Sequence, residues 1–122
     1  MKIRRFEDLE SWKKARELAN MIYDLTSREG FRQDLKLQGQ VRDAAGSIMH
    51  NIAEGFDSGS DAEFIRFLKI SRRSASEVQS QLYLSLDRNY ITENQLQITY
   101  DKATEVKRLN NGLITYLRGH KK

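Results

Sequence analysis

The chain has 122 residues with no proline and no cysteine, so it can form neither a disulfide framework nor a thiolate metal site. That length suits one domain with one modest core, and no run approaches the roughly 18 consecutive apolar residues that a membrane span needs. The net charge is +4, but Lys2, Arg4, Arg5, Arg118, Lys121 and Lys122 hold the basic character at the two ends and leave the body net acidic. Basic ends either meet nucleic acid or another acidic surface, or are simply solvated. No apolar run follows Met1-Lys2-Ile3-Arg4-Arg5, so no signal peptide is expected. A soluble cytoplasmic protein is the expectation.

The first helix is expected over residues 8–28, with Asp8 as N-cap and Glu10 in its first turn. Trp12, Ala15, Leu18, Ala19, Ile22 and Leu25 form its inner stripe, Tyr23 sits at the edge, and Gly30 ends it. At that spacing Trp12 reads as core rather than as a ligand platform. The second helix is expected over 35–54, with Leu37, Val41, Ala44, Ala45, Ile48 and Ile52 inward. Gly39 marks either a close contact or a tolerated flaw. Gly55 fits a left-handed C-terminal cap.

The third helix, expected over 61–88, opens on the capping box Ser60-Asp61-Ala62-Glu63. Phe64, Leu68, Ser71, Ala75, Val78, Leu82 and Ser85 recur at alternating spacings of four and three. That seam packs against neighbouring helices at a shallow angle, and the small Ser71, Ser74 and Ala75 admit a close neighbour. Asn89 suits a left-handed turn, and Tyr90 and Ile91 are placed to plug the end of the bundle. A second capping box, Thr92-Glu93-Asn94-Gln95, opens the fourth helix over 93–118. Its inner face is Leu96, Tyr100, Ala103, Val106, Leu113 and Leu117, with Ile114 at the margin.

These elements predict an all-α chain: a single domain over residues 1–122, folded as an up-down-up-down left-handed four-helix bundle. That topology gathers both basic ends at one pole, beside the loop that carries Glu54, Asp57, Asp61 and Glu63.

Catalytic chemistry finds little support. The two histidines, His50 and His120, have no Glu three residues before them, which disfavours a di-iron bundle. His50 and Glu54 make a surface polar pair rather than half a metal site, and Ser11-Trp12-Lys13-Lys14 lacks any partner motif. No catalytic residue, metal, cofactor or small-molecule substrate is expected. Arg66, Lys69 and Arg73 form a basic stripe on the outer face of the third helix, with Arg72 to the side. The stripe is either a phosphate-contacting surface or a solvated face. Ile70 and Leu84 project from the same outer half with Ile65 on its flank, which predicts a second buried surface and hence self-association. Asn51, Glu54, Gly55 and Asp57 in and before the central loop join Ile65, Ile70 and Leu84 as the expected oligomer or partner interface.

One run carries a family resemblance: Ser47-Ile48, Asn51-Ile52-Ala53-Glu54-Gly55, Ser60, Glu63-Phe64, Phe67-Leu68, Ser74, Glu77 and Gln81-Leu82. Phe6, Asp8-Leu9, Trp12, Ala15, Tyr23, Leu37, Gln40 and Ala44 extend it over nearly the whole chain. The pattern resembles the bacterial four-helix bundle proteins of 23S ribosomal RNA intervening sequences, distant relatives of the accessory proteins of diversity-generating retroelements. The resemblance implies an up-down bundle assembled into a homopentameric ring with a central channel and no established enzymatic activity. The retroelement relatives bind a reverse transcriptase and nucleic acid. The chain departs from the family pattern at Arg32 and Met49, where proline is usual, at Ser58, where arginine is usual, and at Arg73, where glycine is usual.

Two functions follow. The first is a non-enzymatic homo-oligomer, pentameric on the resemblance, that contacts RNA or a ribonucleoprotein through Arg66, Lys69, Arg73 and the tails Lys2, Arg4, Arg5, Arg118, Lys121 and Lys122. The second is a protein-interaction scaffold with no nucleic-acid role. Neither involves a membrane.

Overall fold

A computed structural model describes residues 3–119. The tail residues Lys2, Lys121 and Lys122, and His120, lie outside the described residues. The described residues form four α-helices: α1 over Glu10–Thr26, α2 over Leu35–Phe56, α3 over Asp61–Asp87 and α4 over Glu93–Gly119. Single 3-10 turns at Phe6–Asp8 and Phe31–Gln33 precede α1 and α2. No strand occurs among the described residues.

Three of the four helix starts are fixed by side chains that take up free amide groups. The Leu37 amide donates to Asp34 Oδ1 at 3.1 Å, and the Glu63 amide donates to Ser60 Oγ at 3.2 Å. Thr92 and Gln95 cap α4 reciprocally: the Gln95 amide donates to Thr92 Oγ1 at 3.1 Å and the Thr92 amide to Gln95 Oε1 at 2.9 Å. The box at Ser60 closes on one side only, because the Glu63 carboxylate accepts from Arg66 instead. The start of α1 differs from expectation. Asp8 belongs to the 3-10 turn, and Leu9 stands at the N-cap without a side-chain bond. Leu9 is 2% exposed, so burial rather than capping fixes this end.

Each helix packs mainly on its two neighbours: α1 on α2 and α4, and α3 on α2 and α4. The stripes read from periodicity form the core, including Leu18, Ile22, Val41, Ile48, Ile52, Leu68, Val78, Leu82 and Val106. Two side chains lie deeper than helical periodicity predicts. Ile114 is buried rather than marginal, and Ile65, expected on an outer flank, is 8% exposed and packs in the chain's own core. Ile65 joins Phe64 and Leu68 in the core, so it is not available to a partner.

Small residues let α2 and α3 approach closely. Ser71 Oγ donates to the Ile48 carbonyl at 2.8 Å, and the hydroxyls of Ser47 and Ser74 pair at 2.9 Å. Asn110 extends the contact to α4 through Nδ2, which donates to Ser71 Oγ at 3.0 Å. Gly55 belongs to this close seam and is not a left-handed cap. It lies inside α2 and is absent from the positive-φ glycines, which are Gly30 and Gly59. A Cβ at Gly55 would stand 2.8 Å from Phe67 Cβ and 2.9 Å from Phe64 Cδ1. Gly39 has no neighbour within 4 Å of a built Cβ, so it is a tolerated flaw rather than a contact.

Each end of the bundle is stitched by its own contacts. At one, Tyr90 Oη donates to Asp34 Oδ2 at 3.0 Å and the Tyr90 ring lies 5.1 Å from Phe31. Asn89 supplies the left-handed turn there, at φ 63°. Gln38 donates to the Thr26 carbonyl at 2.9 Å, and Arg42 donates to Thr26 Oγ1 while its guanidinium lies over the Tyr23 ring. At the other end Ile3, Phe56, Ser60, Phe64, Tyr116 and Leu117 surround one hollow. The N-terminal segment, the α2–α3 loop and the end of α4 therefore meet there.

Two outcomes test this packing. Gly55→Ala should lower stability by about 1–3 kcal/mol, because the added methyl overpacks against Phe64 and Phe67. Gly39→Ala should raise it by up to about 1 kcal/mol, since the methyl enters open space in a helix interior. Urea denaturation midpoints measure both.

Lys102 Nζ bridges to Glu17 Oε1 at 2.8 Å and joins α4 to α1. The hydrogen bond from Lys102 holds the Glu17 carboxyl below its ordinary range, and the same bond holds Lys102 above its own. A depressed carboxylate stabilises the fold fully above its unfolded pKa and loses that contribution as pH falls through the folded value. A raised lysine stabilises it fully below its unfolded pKa and loses that contribution as pH rises through the folded value. Melting temperature against pH should therefore sag slightly at both ends, and Glu17→Gln should flatten both sags by slightly lowering the melting temperature at neutral pH while leaving it unchanged at the extremes.

Candidate functional site

Most basic side chains near a carboxylate are answered by it. Arg66 donates to both oxygens of Glu63, at 3.0 and 3.3 Å, and its guanidinium lies 4.5 Å from the Phe67 ring centroid. That contact pulls Glu63 below the ordinary carboxylate range and raises Arg66, through the shared hydrogen bond first and the charge pair second. Arg5 pairs with Glu7 and Asp8, Lys13 with Glu10, and Lys14 and Lys102 with Glu17. Arg4 and Arg118 are exposed. Arg5 reaches its own neighbours rather than the acids of the α2–α3 loop.

One cluster breaks this pattern. Lys69, Arg72, Arg73 and Ser76 of α3 and Lys107 of α4 line a cleft of about 500 Å³, with no carboxylate among its lining residues. Lys69 and Arg73 follow from helical spacing, one turn apart on the outer face. Arg72, expected to the side, turns instead toward α4, where NH1 donates to Asn111 Oδ1 at 2.7 Å. Lys107 Nζ donates to Gln79 Oε1 at 3.1 Å. Gln79 is itself held, because its Nε2 donates to Thr104 Oγ1 at 2.9 Å and to the Tyr100 carbonyl at 3.2 Å. Neutral amides thus orient two of the four cations, and their charge stays uncancelled. An unneutralised cluster of this kind attracts anions, phosphate groups in particular.

The residues expected to act are therefore divided. Lys69 and Arg73 share the cleft. Arg66 stands outside its lining, in an ion pair. Arg72 and Lys107 belong to it, each held by an amide outside the lining, Asn111 for Arg72 and Gln79 for Lys107. The signal for the α4 contribution is the recurrence of Tyr100, Thr104, Lys107 and Asn111 at spacings of four, three and four, which puts them on one face.

Among the residues expected at an interface, Glu54 and Asp57 are exposed, Leu84 is 49% exposed and Ile70 is half-buried. Asn51 is committed within its own helix, where Nδ2 donates to the Ser47 carbonyl at 2.8 Å and to Ser47 Oγ at 2.9 Å. Gly55 and Ile65 are interior. Among the described residues no group of three His, Asp or Glu side chains is placed to hold a metal ion, and no helix is long and apolar enough to cross a membrane.

Comparison with known proteins bears on this arrangement. No curated protein matches the chain. A crystal structure of a protein of unknown function from the S23 ribosomal protein family of Bacteroides thetaiotaomicron is similar, with 26% sequence identity and a TM-score of 0.79. The likeness covers 86% of this chain and 95% of that one. The family described as 23S rRNA-intervening sequence protein matches residues 7–112. The match takes in all of α1, α2 and α3, most of α4 and every residue lining the basic cleft, and the chain therefore belongs to the 23S rRNA-intervening sequence protein family.

Proposed function

We propose that this protein is a non-enzymatic, homo-oligomeric bundle that contacts RNA, alone or within a ribonucleoprotein, through the basic cleft between α3 and α4. The observation that carries this reading is the cleft itself: four cations from two helices and no lining carboxylate. In the cytoplasm the abundant anion that spans several such charges at once is a nucleic-acid backbone. Arg4, Arg5 and Arg118 and the tail lysines Lys2, Lys121 and Lys122 add long-range attraction and little contact energy.

The whole chain forms one domain in this reading, with its helices running up, down, up and down in a left-handed bundle. The end-to-end juxtapositions support that course: Asp34 with Tyr90 at one end, and Ile3 with Ser60 and Leu117 at the other. The family resemblance favours a pentameric ring. Exposed apolar side chains support self-association, among them Leu84 on α3 and Ile98 on α4, 49% and 53% exposed. Glu54 and Asp57 are placed to set subunit orientation.

RNA binding should weaken steeply with salt. Electrophoretic shifts of a structured RNA at low salt should be lost as salt rises, and Lys69→Ala or Arg73→Ala should each lower the slope of log affinity against log salt by about 0.7–0.9. Absence of any shift by the parent protein at low salt overturns the RNA reading. For the assembly, light scattering should return a multiple of the chain mass. Replacing Glu54 and Asp57 by Gln and Asn should loosen it without altering helical content, and an unchanged sedimentation profile would remove these two residues from the interface.

A further inference from the structure

Resting on the RNA reading, we propose that the groove between α3 and α4 takes a single strand, with phosphates at the basic cleft and an unstacked base against Tyr83. Three contacts trace the groove. Arg72 meets Asn111, Gln79 meets Thr104, and the Tyr83 ring meets Tyr100. Positions rise along α3 as they fall along α4, so the three contacts mark one continuous line. The cations stand at one end of that line and Tyr83 at the other. Arg73 and Tyr83 are ten positions apart, about 15 Å along a helix. That length suits a short stretch of single strand.

Tyr83 has the features of a stacking platform. It is 52% exposed. Its ring is steadied edge-on by the half-buried Tyr100, with centroids 6.0 Å apart and planes at 72°. An aromatic ring in this setting offers a π surface to any base, whatever its sequence. Bases within a duplex have their faces covered by neighbouring pairs and cannot use it. Phosphate contacts alone would accept either form of RNA; the tyrosine at the far end selects the single strand.

The test uses the full chain with two probes, a labelled single-stranded polyuridylate and a perfectly paired RNA duplex of the same length. The parent should bind the single strand more tightly than the duplex. Tyr83→Ala should weaken single-strand binding by about 5- to 150-fold. It should leave the salt slope and duplex binding unchanged, because no charge is removed. Tyr83→Phe should restore the parent affinity. Lys107→Ala should instead lower the single-strand salt slope by about 0.7. Thermal melts of each variant report whether the fold is intact, and Tyr83 is exposed enough that its replacement should leave the melt in place. If Tyr83→Ala binds polyuridylate like the parent while Arg73→Ala and Lys107→Ala bind it weakly, the stacking site is refuted and the RNA reading stands. Duplex binding as tight as single-strand binding refutes the preference. Binding of neither probe by the parent overturns both the preference and the RNA reading.

Discussion

The close approach of α2 and α3 sets the frame for everything else in this protein. It depends on small side chains where larger ones would hold the backbones apart: Ser71 and Ser74 on one helix, Ser47 and Gly55 on the other. Hydroxyls at such a seam need partners, because a buried polar group without one is strongly destabilising. Ser71 finds its acceptor in the Ile48 carbonyl of the facing helix and itself accepts from Asn110. One chain of hydrogen bonds therefore runs from α4 through α3 to α2 at the buried centre. Apolar stripes tolerate sliding, whereas a polar chain of fixed geometry does not, so this chain sets the register of three helices.

That register decides which surface residues meet across the α3–α4 groove. With Asn110 seated against Ser71, the next residue, Asn111, comes level with Arg72, and further along Thr104 comes level with Gln79. Lys107 is then drawn toward Gln79 and joins the cations of α3. The cleft is thus a product of the core, and its charge survives because the groups that orient it are amides. Elsewhere on the surface carboxylates perform the same orienting task and cancel the charge as they do so, as Glu63 does for Arg66 and Glu17 for Lys102. The difference between an inert polar surface and an anion-attracting one lies in this choice of acceptor.

Membership of the 23S rRNA-intervening sequence protein family brings a likeness of fold that spans most of the chain, and the similar crystal structure is itself of a protein of unknown function. The chain's charged groups are spread over helix surfaces, and the buried polar groups Ser71, Gln79 and Asn110 join one helix to another. The proposed single-strand site joins the cations of the cleft to the exposed Tyr83 ring further along the same groove.

Local patterns in the chain were enough for the helices, the Ser60 cap, the reciprocal capping box at Thr92 and Gln95, the left-handed Asn89 and most of the inward stripes. Each of these depends on residues within about one turn of one another, where helical geometry is fixed. The same locality explains the misplacements. Gly55 at the end of an apolar stripe has the spacing of a cap, and only the Phe64 and Phe67 side chains of the next helix reveal it as a close-approach residue. Ile65 sits at an angle that periodicity assigns to either side, and packing resolved it inward. Lys69 and Arg73 were legible as a stripe on one helix. Lys107, Gln79 and Asn111 were not, because their partners lie 28, 25 and 39 positions away. Which side chains face each other across two helices depends on their relative register, and that is set by the buried contacts between them rather than by any local run of residues.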